Sequence, residues 1–270
     1  MNIKRVFQSV AIITVMFSPL LSAIINAAEI KSGEFIPDKK MFDKPIAPVV
    51  KSKLAGKTIS CFRYPDFALS YGQAGMDSSL TVLKPNAAVD AEHLCLKQKS
   101  GSRVELGDFG VFAGKIGNLV FATCNDCGEG TFRVSDASSG NIVFKGMHVA
   151  KTASGTFVSL SGHGETSFYF RKTGDKVSMR YFKQVSISCP LMKEGDSCWD
   201  TIRAENKLPK SLKAPDCKKL YVEWAKGFKG KTSADWEPMI PGITVEVEVD
   251  DIRVGSETLL SGPAICYVPG

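Results

Sequence analysis

The chain has 270 residues, 34 Lys+Arg against 28 Asp+Glu, and eight cysteines. Its basic excess is too small to argue for nucleic acid. Its length is enough to bury a good core as one β-rich domain or as two small ones.

The first residues, Met1-Asn2-Ile3-Lys4-Arg5, precede an apolar run from Val6 to Ile25 that exits through Asn26-Ala27-Ala28. A short positive start, an apolar middle and small residues at the exit predict a signal peptide over 1–28, cleaved after Ala28 or, alternatively, after Ala23. An uncleaved anchor is the competing reading, because the run nearly reaches spanning length. Cleavage removes Lys4 and Arg5, leaving 32 basic against 28 acidic residues, a net +4. The expectation is a periplasmic or secreted protein with no transmembrane anchor after cleavage.

Residues 29–53, with Pro37, Pro45 and Pro48 among several lysines, predict a flexible or loosely docked arm. Residues 54–270 then form a single β-rich domain with its core at 104–189. Lys57–Phe62 and Ser79–Leu83 are strand candidates, with turn chemistry at Tyr64–Asp66 and Tyr71–Gly75 between them. Asn118–Thr123 is a strand that ends at Cys124. Phe132–Ser135 and Ile142–Phe144 flank a polar, glycine-containing loop, and Ser167–Arg171 and Lys176–Phe182 flank Thr173-Gly174-Asp175; both are hairpin signatures. These hairpins resemble one or two blades of a β-propeller, but no repeat of fixed period extends them. The fold expected is mainly β, an antiparallel sandwich or irregular barrel of hairpins, with one or two short helices near 198–228 and disulfide stabilisation.

The first of those helices follows Cys198. Ser197-x-x-Asp200 has capping-box spacing, Trp199 and Ile202 share a face, and Asn206 and Pro209 end it. Residues 216–229 fit either a helix or a strand, and Pro215-Asp216 favours the helix. Ile243–Asp250 alternates strictly, so it is a half-buried strand with valines inward and carboxylates outward. Gly262–Val268 is the last strand.

Cys61, Cys95, Cys124, Cys127, Cys189, Cys198, Cys217 and Cys266 all follow the leader and read as up to four disulfides in an oxidising compartment. Proximity favours Cys189–Cys198 and Cys61–Cys95, and Cys217–Cys266 would tie a late segment to the last strand. Cys124-x-x-Cys127 is the one redox candidate, but Gly128 and Gly130 make a poor helix start, and Asp126 and Glu129 would raise a thiol pKa. A structural disulfide is the plainer reading of that pair. His93, His148 and His163 form no two-histidine ligand motif, and each reads as a surface or loop residue. The row Glu246, Glu248, Asp250 spreads too far along a strand to converge on calcium. No cofactor is expected.

The stretch from Lys207 to Lys231 interleaves lysines with Tyr221, Trp224 and Phe228. Lys218, Lys219, Tyr221, Trp224, Lys226 and Phe228 are therefore the candidate binding residues, for a protein, polysaccharide or other polyanion of the cell envelope. The reading that follows is an exported, non-enzymatic β-domain that binds an envelope or extracellular partner, anionic partners included. The alternative is a periplasmic thiol–disulfide redox protein using Cys124 and Cys127.

Overall fold

The computed structural model describes residues 34–47, 49–54, 56–74, 77–84, 102–108, 111–123, 130–151, 157–158, 168–226 and 242–267. The leader, Cys95, Cys124, Cys127, His93, His163 and Phe228 lie outside them. Among the described residues no helix is long and apolar enough to cross a membrane.

The chain opens with β1 (Ile36–Pro37) and α1 (Asp38–Met41). Next come β2 (Val50–Leu54), β3 (Lys57–Arg63), β4 (Ala68–Ala74), β5 (Asp77–Lys84) and β6 (Ser102–Asp108). These five form an antiparallel meander in which each strand pairs with the next. Tyr71–Ala74, expected as part of a turn, lies in β4. Its residues pair with β3 on one side and β5 on the other, and the ladder on both edges outweighs the local turn preference of the glycine.

The second sheet has eleven strands. It contains β1 together with β7 (Val111–Ile116), β8 (Leu119–Thr123), β9 (Thr131–Asp136), β10 (Ile142–Lys151), β11 (Phe157–Val158), β12 (Phe168–Thr173) and β13 (Lys176–Val185). The helices α2 (Leu191–Glu194), α3 (Asp196–Glu205) and α4 (Lys218–Ala225) precede β14 (Gly242–Val249), β15 (Glu257–Leu259) and β16 (Ile265–Tyr267). The main path runs β1-β12-β13-β10-β9-β8-β7, with β14 on the other edge of β13 and β15 and β16 beyond it. Both hairpins expected from sequence are present, Thr131–Asp136 with Ile142–Lys151 and Phe168–Thr173 with Lys176–Val185.

This sheet curls on itself. Phe121 of β8 and Phe170 of β12 are not on neighbouring strands, yet their ring centroids are 4.9 Å apart. The ring of Phe42 sits 5.5 Å from the first and 5.6 Å from the second. Gly114 makes room for it, since a Cβ there would lie 2.4 Å from the Phe42 ring. The stretch expected as a flexible arm is therefore built into the fold from Ile36 onward. Ile36 and Pro37 pair with Phe170 and Tyr169, and Phe42 fills the opening of the curl. The physical reason is burial of one aromatic ring, worth about 2–3 kcal/mol, which lysine and proline content does not reveal.

The core also extends past the expected 104–189 boundary. It takes in Cys198, Trp199 and Ile202 of α3 and Ile243, Val245, Val247 and Val249 of β14, while β6 belongs to the smaller sheet. α3 begins at Asp196 after Gly195, with no side-chain cap. The expected capping box is absent: Ser197 lies inside the helix and donates back to the Glu194 carbonyl at 3.1 Å. Asn206 does close the helix, donating from Nδ2 to the carbonyls of Ile202 and Ser186, each at 2.9 Å.

Cys189–Cys198 and Cys217–Cys266 are both disulfides, with Cα separations of 5.7 and 5.5 Å. Cys61 is also disulfide-bonded, its partner being outside the described residues. The carboxylates of β14 are not simply solvated. Glu248 accepts from Arg171 Nη2 at 3.0 Å and from Arg180 Nε at 2.8 Å across the sheet.

Candidate binding cleft

β10 changes partner part-way along. Ile142 to Met147 run beside β9, with a register shift between Ile142 and Phe144, and only His148 and Val149 reach β13. The first half of β10 therefore stands apart from β13, and the gap is a cleft of about 670 Å³, within the size range of small-molecule sites. Its apolar wall is Phe132, Ile142, Phe144 and Met147, and its basic residues are Arg133, Lys145 and Lys183. Arg133 and Lys145 face each other in register across β9 and β10. Gly146 is where the cleft meets the core: a Cβ there would lie 2.8 Å from the Phe132 ring and 2.9 Å from the Tyr181 hydroxyl.

Glu257, at the start of β15, is the single acid in the lining. Its two carboxylate oxygens accept from different donors, the Tyr181 hydroxyl and Lys183 Nζ. Tyr181 is fully buried, and burial, reinforced by the Glu257 carboxylate, holds its hydroxyl protonated far above the ordinary phenol range. It is therefore a fixed donor to Glu257. Lys183 and Glu257 also line a second cavity of about 220 Å³, whose other walls include Val185, Leu208, Val245, Val247 and Leu259. The ion pair thus lies between an aromatic cavity and an aliphatic one.

Lys183 interrupts an otherwise apolar face. Val177, Met179, Tyr181 and Val185 of β13 all enter the core, and strand alternation puts Lys183 on the same side. This was the one signal of the cleft in the sequence, a lysine at an inward position of a strongly alternating strand.

His148 stands opposite Lys183 in register, where β10 meets β13. It was expected at the surface or in a loop, but it is 1% exposed, its ring packed against Phe132 and Phe168. The bulk of the two phenyl rings explains its burial. Nδ1 is 2.9 Å from the Gly130 carbonyl, and Nε2 has no hydrogen-bond partner among the described residues. Burial lowers its pKa to about 4, so the ring is neutral at pH 7, with Nδ1–H as the donor.

The lysine–aromatic stretch lies elsewhere. Lys218 and Lys219 are exposed on the first turn of α4, and Lys226 is exposed just after it. Tyr221 and Trp224 belong to the same helix. The Cys217–Cys266 bridge ties the start of α4 to β16, and Lys219 and Leu220 share an open depression of about 390 Å³ with Ala264 and Ile265. The redox candidates Cys124 and Cys127 fall outside the described residues. Among the described residues no group of three or more His, Cys, Asp or Glu side chains could hold a metal ion. No protein family, curated protein or solved structure matches the chain.

Proposed function

We propose that this chain is an exported, non-enzymatic β-domain that binds an anionic partner of the cell envelope or the extracellular space. The observation that carries this reading is the cleft between β10 and β13, which puts aromatic walls beside Arg133, Lys145 and Lys183 with one acid among them. That acid is held by two donors, so its charge is largely spent within the protein. The exposed lysines of α4 add a second basic surface, of the kind that meets polyanions by long-range attraction rather than by fitted contacts. The signal-peptide pattern and the disulfides support an oxidising destination.

The test is retention of the mature protein on isolated envelope fractions and on heparin as a model polyanion, at low and high ionic strength. Retention should weaken with salt, and Lys218→Ala, Lys219→Ala and Lys226→Ala combined should weaken it several-fold while changing stability by no more than about 0.5 kcal/mol. Retention indifferent both to salt and to the substitutions would reject the anionic partner.

A further inference from the structure

The geometry points to an amphipathic anion as the ligand of the cleft, a single carboxylate or phosphate head on an acyl or aryl tail. The inference rests on the binding reading above and gives its site a ligand class. An ion pair set into an apolar sheet face is costly unless both partners keep their hydrogen bonds. Here, among the described residues, Glu257 has two donors and Lys183 Nζ has one acceptor. The Lys183 ammonium has three N–H donors and spends one on Glu257, so it can take an incoming anion while Glu257 stays paired with it and with the Tyr181 hydroxyl.

The surroundings select the rest of the ligand. Lys145 is exposed and lines the same cleft as Lys183, so it adds a second cation for an anionic head. A small inorganic anion would leave the exposed Ile142 uncovered, whereas a tail would bury against it and Met147. The aliphatic cavity beyond Lys183 extends the apolar surface past the ion pair, so the cleft matches a molecule with one charged point and apolar substance around it. A flat membrane surface does not reach Lys183, which is about two-thirds enclosed.

The probes are dodecyl phosphate below its micellar concentration, uncharged dodecyl maltoside, and inorganic phosphate, titrated calorimetrically into the mature protein. Dodecyl phosphate should bind with a stoichiometry of one. Dodecyl maltoside should bind about tenfold more weakly or less, and inorganic phosphate should show no saturable binding. Lys183→Gln should weaken dodecyl phosphate about tenfold. Lys145→Gln, at an exposed position where folding is not at risk, should weaken it by a smaller factor. Equal binding of the charged and uncharged amphiphiles, or full affinity in both variants, would overturn the assignment. If envelope fractions retain the protein while dodecyl phosphate does not bind, the ligand class falls and the binding reading stands. If dodecyl phosphate binds in the lysine-dependent way and the envelope fractions do not retain the protein, the cleft's ligand class holds and the envelope partner is rejected.

Discussion

The two sheets solve the problem of burial differently. The large sheet curls until its own strands face one another, so Phe121, Phe132, Phe168, Phe170 and Tyr181 form a closed aromatic interior, backed by α3 and by β14. The five-stranded sheet stays a simple meander, and among the described residues it has no such interior. On one face Tyr64, Phe67, Leu69, Leu80 and Val82 pack with Val120 and Ala137 of the larger sheet. On the other, Cys61, Ala68 and Leu83 form only a small cluster with Val50. One sheet supplies its own core and the other borrows part of its core from its neighbour. A meander of short strands needs such a partner, whereas a curled sheet is its own partner.

The seam between them is centred on Lys115 of β7. Its side chain is 3% exposed, and Nζ reaches Asp43 at 2.9 Å and Asp66 at 3.5 Å. It also donates to the Gly117 carbonyl at 2.9 Å and lies 4.7 Å from the ring centroids of both Tyr64 and Phe67. One buried cation therefore joins the N-terminal segment, the β3–β4 turn and the large sheet. Burial and the neighbouring Asp43 and Asp66 carboxylates raise the Tyr64 hydroxyl to about 12, so that ring stays neutral beside the lysine.

The comparison is broken most severely at Phe132, which touches Phe144, His148, Phe168 and Tyr181. Phe132→Ala should cost about 3–5 kcal/mol in denaturant unfolding. Amide exchange should show both sheets losing protection together, because the smaller sheet leans on the larger. Retained protection in the small sheet alone would show that it folds without its neighbour.

A smaller effect comes from His148, and it sharpens the contrast because the group lies in the large sheet only. Its pKa is 6.5 when unfolded and about 4 in the fold, so the unfolded chain binds the proton more readily. The stability due to neutral His148 is fully present above pH 6.5 and is lost as pH falls towards 4, on the order of 3 kcal/mol in all. His148→Gln should flatten that part of the profile of thermal unfolding against pH. An unchanged slope would assign the acid sensitivity to carboxylates instead.

The smallest effect is expected at the seam. Asp43→Ala removes one of two carboxylates from Lys115 and an acceptor from the Gly117 N–H, but Asp43 is 40% exposed, so the cost should be about 1–2 kcal/mol. Exchange should rise first at β3 and β4 rather than in the curled core. A uniform rise across both sheets would mean that Lys115 does not divide them.

Much of this fold was legible from local pattern. Two hairpins, the alternating strand at Ile243–Val249, the helices at Asp196–Glu205 and Lys218–Ala225 and the Cys189–Cys198 disulfide follow from spacing and periodicity. The errors share one cause. Phe42 docks only because Gly114, distant in sequence, leaves space for a ring; Tyr71–Ala74 is a strand only because two neighbours pair with it; His148 is buried only because Phe132 and Phe168 converge on it. The cleft was legible only as the inward lysine at 183.

Hydrophobic period and chain proximity are properties of a few adjacent residues, so the sequence by itself determined the β class, most of the strands and the short-range Cys189–Cys198 cross-link. Which strand edges meet depends on packing between segments far apart in the chain. The tertiary structure alone therefore decided that β10 leaves β9 to join β13 at His148, that a cleft opens where it does so, and that Lys183 and Glu257 stand together inside it.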